Sequence, residues 1–213
     1  SYLPSPEDTL AYYLDYGYTE GRPYTKIAVQ TNALLVASPF AGAFDITVNV
    51  SGFPRVFKHE TIEPSAGLMH QRADVVHREA LEAMELAGEN SLFLYIHYMD
   101  LHETYSPVAR FRGLFEPAVR YDFGALATAG AQGATGEEFA QKVRSLRDDY
   151  DASLMFLDEQ IGLFLAELER RGTLDESLVI LAADHGQSLG ERGVIGHAQT
   201  LYPAETQVPL IIA

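Results

Sequence analysis

Two short, nearly continuous apolar runs constrain this chain most: SLFLYIH at residues 91–97 and SLVILAA at residues 177–183. A run with no polar alternation predicts a strand buried on both faces, as in a parallel sheet covered by helices. Between the two lies the strongest helical period of the chain. Over residues 150–171, Leu154, Leu157, Ile161, Leu165 and Leu168 recur three and four residues apart, and Gly172 supplies the stop. A second helix is predicted over residues 72–87, with Ala73, Val76, Ala80 and Met84 on one face and Gly88 closing it. A third is predicted to begin at Ser5 and Pro6, to present Leu10, Tyr13 and Leu14, and to end at Gly17. Residues 27–30 read as a short strand and residues 44–50 as a half-buried one. Helices alternating with apolar strands predict the α/β class, with a mostly parallel sheet and helices on both faces. Residues 51–70 and 103–136, with their Gly, Pro and mixed polar groups, are predicted as loops or insertions within one domain spanning residues 1–213.

Composition narrows the function. The 213 residues carry a formal net charge of -15 with no cysteine. That charge argues against a basic surface for nucleic acid or an anionic membrane. Thiolate chemistry and disulfides are excluded within the segment. No apolar run reaches the roughly 20 residues of a membrane helix, and no signal peptide opens the chain, so a soluble protein is expected. The opening SYLP and the closing VPLIIA read as the interior of a longer protein.

In covered parallel sheets, ligands gather beyond the carboxyl ends of the strands. Both runs richest in polar chemistry begin there. Asp184, His185 and Gly186 follow the second apolar run. A carboxylate at such a rim must be solvated, paired or metal-bound. An oxygen beside an imidazole suits a divalent cation, with Gly186 letting the backbone turn away; the alternative is that Asp184 merely caps the turn. His197, in Gly196-His197-Ala198 after a Gly-rich stretch, is placed to return over Asp184, where it would donate to an anionic oxygen or protonate a leaving group. Its alternative is an exposed loop histidine. After the first run, His97 reads as packed within the strand, whereas His102 lies beyond it with Asp100 near enough to orient it. His59, His70 and His77 have no nameable partner and are taken as surface residues.

These motifs resemble the sulfatase family of the alkaline-phosphatase superfamily. Residues 91–102, SLFLYIHYMDLH, resemble the segment in which a strand delivers a histidine to the sulfate. Residues 150–162 resemble the helix before the second metal-binding strand. Asp184-His185-Gly186-Gln187-Ser188-Leu189-Gly190-Glu191, Gly196-His197, residues 201–205 and residues 208–212 then follow in the family's order. The resemblance implies an alkaline-phosphatase-like fold and hydrolysis of sulfate esters. It implies a divalent metal on Asp184 and His185, calcium first with manganese and zinc as alternatives. His102 and His197 would be the catalytic, substrate-contacting histidines, and the partner a small-molecule sulfate or phosphate ester. The family also uses a formylglycine nucleophile, formed from Cys or Ser in a short Pro/Arg motif, and an N-terminal pair of aspartates. Neither is found here, so the resemblance implies an incomplete metal site, with the formylglycine supplied by the parent protein and no turnover by this segment alone. Many sulfatases have Asn at the place of His185, Lys at that of His197 and Glu at that of Gln187. The Asp-His pair also occurs in phosphonate and phosphodiester hydrolases and phosphoethanolamine transferases of the superfamily. Those activities, and a non-catalytic metal- or partner-binding fragment, stand as the alternatives.

Overall fold

The computed structural model describes residues 24–32, 42–50, 55–57, 60–62, 72–116 and 118–213. The helix predicted from Ser5 to Gly17, and the residues His59 and His70, lie outside the described residues. The chain divides into two compact units, Ser1–Asp100 and Leu101–Ala213.

The first unit is built on a five-stranded sheet. Its strands are β1 (Tyr24–Gln30), β2 (Ile46–Asn49), β3 (Arg55–Phe57), β4 (Glu60–Ile62) and β5 (Ser91–Ile96), in spatial order β4-β3-β2-β1-β5. β1 is parallel to both neighbours, with Ile27 opposite Ile46 on one side and Leu94 on the other. Ile27, Ala28 and Val29 are completely buried, and full burial of a side chain such as Ile27 or Val29 contributes roughly 1.5–3 kcal/mol. Helix α1 (Ala73–Glu85) packs on this parallel centre. The predicted face is the buried one, since Ala73, Val76, Ala80 and Met84 all lie inside. The sheet is parallel only at its centre, because β2–β3 and β3–β4 are antiparallel. The loop predicted over residues 51–70 therefore contains two three-residue strands, too short for any periodicity to mark. β5 is half-buried along its length rather than fully buried, because it stands at the end of the strand order with β1 on one side.

His77 is not a surface residue. It is 6% exposed on the inner face of α1, and its Nε2 lies 2.7 Å from the Tyr98 hydroxyl. Asp100 accepts from the Ala73 amide at 3.1 Å and so occupies the N-terminus of α1, where a carboxylate is favoured. Its Oδ2 is buried with no hydrogen-bond partner among the described residues. Burial pushes the two groups in opposite senses, His77 down from 6.5 to about 4 and Asp100 up from 3.8 to about 6.

Stability follows from proton counts. Between 6.5 and about 4 the unfolded chain binds a proton that folded His77 refuses, so this group lowers stability as pH falls. Between about 6 and 3.8 folded Asp100 keeps a proton that the unfolded carboxylate releases, so this group raises stability as pH falls. We therefore expect His77→Gln to lose less stability than the parent chain between neutral pH and about pH 5, and Asp100→Asn to lose more. Urea unfolding at the two pH values tests this, and two variants that both track the parent would refute it.

The second unit is ordered around a 34-residue helix, α4 (Glu137–Arg170). It begins 13 residues before the predicted start at residue 150, because the polar stretch EEFAQKVRSLRDD carries few apolar residues yet consists of good helix formers. Its buried face is also rotated from the predicted leucine stripe. Ala152, Ser153, Phe156, Leu157, Phe164 and Leu168 lie inside, whereas Leu154 is 42% exposed. The segment predicted as loop over residues 103–136 contains α2 (Ala109–Arg112) and α3 (Phe123–Ala131). The Asp122 side chain caps α3 by accepting from the Ala125 amide at 2.7 Å, and the Gly/Ala run behind it packs closely. At Gly130 a side chain would collide with the Gly193 carbonyl.

The remaining elements are strands β6 (Ile180–Ala182), β7 (Ser188–Leu189), β8 (Ile195–Gly196) and β9 (Leu210–Ile212), with helix α5 (Pro203–Thr206). β6 and β9 pair antiparallel with each other, and β7 pairs antiparallel with β8. The second apolar run is not buried here. Leu178 is 71% exposed and Ile180 56%. An apolar run records that a strand needs cover, not what supplies it, and in this unit β6 has β9 as its strand partner.

Candidate active site

Three segments of the second unit meet beyond the end of β6, and local packing explains why. Tyr105, Leu126, Val143, Leu146 and Ile195 form a buried cluster, with Phe123, Phe139, Tyr150 and Leu189 packed against it. Tyr105 anchors the segment that carries His102 and Glu103. Ile195 anchors the arm of β8 that leads into His197. In the β7–β8 hairpin Ser188 lies opposite Gly196, so Gln187 and His197, one step further out, face each other. The expected return of His197 over the Asp184 rim is made by this hairpin.

Gly186 is needed for space rather than for a left-handed turn, since a side chain there would collide with the Ala204 carbonyl at the start of α5. Its amide donates to the Glu205 carbonyl at 2.8 Å, tying the 184–187 segment to α5. The Glu205 carboxylate is buried, at 5% exposure. It accepts from the hydroxyls of Ser188 (2.9 Å) and Thr200 (2.7 Å) and from the amides of Gln199 (3.0 Å) and Thr200 (3.1 Å). The Thr200 hydroxyl and the other donors hold this carboxyl down at about 2, against an ordinary value of 4.5. The same cage fixes the turn after His197, in which Ala198 adopts a left-handed φ of 61°, a conformation a non-glycine residue reaches at a cost.

The imidazoles gather closely. The His185 and His197 rings stack with centroids 4.2 Å apart, and His102 meets His197 edge-on at 5.2 Å. Each ring is engaged through Nδ1. That of His185 lies 2.8 Å from the Gly186 carbonyl, and that of His102 lies 2.6 Å from the Glu103 carbonyl. That of His197 lies 3.0 Å from Gln187 Oε1 and 3.2 Å from Glu103 Oε2. An oxygen acceptor at Nδ1 places the neutral ring's proton there and leaves Nε2 with its lone pair. Glu103 was not singled out by the sequence, and Gln187 appeared there only as a departure from a family pattern. The one signal for Glu103 is its place beside His102. Asp100, expected to orient His102, takes the α1 terminus, and Glu103 stands beside the His102 ring. His97 extends the β1–β5 ladder, its amide donating to the Val29 carbonyl at 2.9 Å, and its ring stacks on Tyr95.

Two donor groups are compatible with a cation. Asp184 is exposed, and its Oδ1 lies 3.8 Å from His185 Nε2, a separation that a small side-chain rotation closes to that of two ligands on one ion. The carbonyl at His185 Nδ1 is the outer contact that usually fixes a metal-binding imidazole. Asp184 and His185 therefore fit a divalent metal as part of a coordination shell. His102, Glu103 and His197 also offer ligand atoms within 4.8 Å of one another. Among the described residues no helix is long and apolar enough to cross a membrane.

Comparison with known proteins places the chain. It superposes on the structure of BT4656 in complex with its substrate D-glucosamine-2-N,6-O-disulfate with a TM-score of 0.65, at 18% identity, over 89% of this chain and 52% of that one. It superposes on the phosphonate monoester hydrolase of Agrobacterium radiobacter with a TM-score of 0.53, at 17% identity, over 71% of this chain and 34% of that one. The fold is thus α/β of the alkaline-phosphatase-like type. The sulfatase family profile matches residues 19–213, and the chain belongs to the sulfatase family. Among curated relatives, the choline-sulfatase of Rhizobium meliloti is 37% identical over 73 residues, 34% of this chain and 14% of the relative. The multifunctional alkaline phosphatase superfamily protein PehA of Trinickia caryophylli is 31% identical over 84 residues, 39% of this chain and 16% of the relative. The chain spans about half the length of the BT4656 chain, and its matched stretches cover a small part of the curated relatives.

Proposed function

We propose that these residues form part of the active site of a metal-dependent sulfuric ester hydrolase acting on small-molecule sulfate esters. The observation that carries the reading is the group of three imidazoles, each held through Nδ1, beside the exposed Asp184. Asp184 and His185 are assigned to the metal, and His102 and His197 to the ester. A divalent cation at Asp184 and His185, with calcium first and manganese or zinc as alternatives, supplies positive charge for an anionic ester oxygen. That local charge matters on a chain of net charge -15, whose long-range field repels an anionic substrate. The Nε2 edge of His197 or His102, when protonated, donates to a non-bridging oxygen or delivers a proton to the departing alcohol oxygen. The attacking group is assigned to a formylglycine outside these residues, since the 213 residues contain no cysteine and no serine in the family's short Pro/Arg motif. This segment by itself is accordingly expected to give no turnover.

The choline-sulfatase and BT4656 support sulfate, whereas the phosphonate monoester hydrolase supports a second reading, hydrolysis of phosphonate or phosphate esters. The test assays the intact protein, with Ca2+, Mn2+ and Zn2+ in turn, on an aryl sulfate and on the matched phosphonate and phosphodiester. We expect kcat/KM for the sulfate to exceed the others by at least about tenfold, a difference of roughly 1.4 kcal/mol in barrier. The opposite order would transfer the assignment to the second reading.

A further inference from the structure

Glu103 and Gln187 have no part in the roles assigned above, and the fold brings them into one hydrogen-bonded unit with His197. Gln187 Nε2 donates to Glu103 Oε2 at 3.2 Å, and the other end of the same amide, Oε1, faces His197 Nδ1 at 3.0 Å. Glu103 Oε2 itself lies 3.2 Å from that nitrogen and 3.9 Å from His102 Nδ1. The orientation of the amide follows from its neighbours. Turned the other way, Gln187 would point its oxygen at a carboxylate, which has no proton to offer. With Oε1 toward His197, both acceptors face one nitrogen, and the neutral ring carries its proton at Nδ1.

We propose that Glu103, bridged by Gln187, is a positioning residue that fixes His197 in its Nδ1-protonated tautomer and presents Nε2 to the ester. This deepens the proposed function and rests on it for the identity of the ester. The geometry supports the role in three ways. Gln187 and His197 flank the paired residues Ser188 and Gly196 at the mouth of the β7–β8 hairpin, so the strand register holds the two residues at facing positions. The Glu103 side chain is only 21% exposed, which limits competition from water. Stacking on His185 holds the remaining face of the His197 ring. The one carboxylate stands beside both ester-assigned histidines, so the same residue orders His197 and lies next to His102. Carboxylate contacts on metal-binding histidines change affinity or activity about 10–100-fold when removed, and an effect of the same order is expected for His197.

The experiment is long-range 1H–15N NMR of the 213-residue chain labelled at histidine, at about pH 8, where an ordinary imidazole is neutral. His197→Gln identifies the His197 signals. In the parent chain they should show the Nδ1-protonated pattern. Glu103→Ala should mix the two tautomers, whereas Glu103→Gln, which keeps an acceptor, should restore the parent pattern. A purely structural role predicts no such rescue. Gln187→Met supplies an independent route to the same loss. Titration with inorganic sulfate, repeated at a pH where the His197 ring carries both protons so that Nε2 can donate, then reads the consequence, and affinity at the His197 signals should fall about tenfold in Glu103→Ala. The proposal is overturned if His197 carries its proton at Nε2 in the parent chain. It is equally overturned if Glu103→Ala and Gln187→Met both leave the tautomer unchanged. Parent tautomer and rescue as expected, with no response to sulfate, would support the positioning role and count against the sulfate-ester reading, so the two can fail separately.

Discussion

Replacing Glu205 by alanine is expected to destabilise the second unit by about 3 kcal/mol, enough to lower the folded-to-unfolded ratio more than a hundredfold. The carboxylate accepts four hydrogen bonds from Ser188, Gln199 and Thr200 while nearly inaccessible to solvent. Alanine removes the acceptor and leaves four donors facing a void, so the loss is the desolvation cost of the orphaned groups rather than the modest net value of one bond. Glu205→Gln keeps the shape but brings two N–H groups where only acceptors fit, and should recover little. The pH dependence carries the same signature. Because Glu205 is held at about 2 against an ordinary 4.5, its contribution is fully present above about 4.5 and is lost as pH falls toward about 2. Urea unfolding of the parent and variant across that window checks both statements. A variant within about 0.5 kcal/mol of the parent, the usual range of surface substitutions, would show that the cage is not structural.

The second large effect concerns the metal. Asp184→Ala should weaken divalent-cation affinity of the chain by about a hundredfold, because it removes the one anionic donor of the pair and leaves an imidazole alone. His185→Asn should cost less for Ca2+ than for Zn2+, since an amide oxygen suits the harder ion and the imidazole suits the softer one. Isothermal titration of each ion into the metal-free chain reads both numbers without requiring turnover. If Asp184→Ala binds as the parent does, and His102→Ala or His197→Ala abolishes binding, the cation belongs to the cluster of His102, Glu103 and His197, and the division of labour proposed for the site is wrong. Glu205 lies outside both donor groups, so its variant should bind metal with parent affinity in conditions where it remains folded.

Particular residues show what was legible in the sequence. The Ala73, Val76, Ala80 and Met84 face was readable because burial on one side of a regular helix imposes a period. Asp184, His185 and His197 were readable as candidates because they follow an apolar strand and sit among glycines, and the fold brings the His185 and His197 rings together. α3 was not, since Ala and Gly carry little pattern and the decisive signal is one cap, Asp122. The exact face of α4 was lost because Leu154 and Ser153 lie on adjacent lines of the helix surface, and only packing decides which line goes inside. Glu103 and Gln187 were illegible for a deeper reason. Their roles are defined by a partner in space, 84 residues apart in the case of Glu103 and Gln187, and nothing in a single chain of letters records that pairing. His77 shows the converse error, for a histidine with no sequence neighbour to bond found Tyr98 through the sheet.

The β7–β8 hairpin sets how this part of the molecule tolerates change in length. Successive strand residues face opposite sides, so one residue inserted into either arm, between Gln187 and Leu189 or between Ile195 and His197, would turn His197 away from Gln187. Residues added at the tip, around Glu191 and Arg192, leave the arms in register and need only preserve the close approach of Gly193 to Gly130. Insertions and deletions should therefore accumulate at the tip and be purged from the arms, and a designer wishing to reshape the approach to the site has a graft point there that leaves the imidazoles where they are.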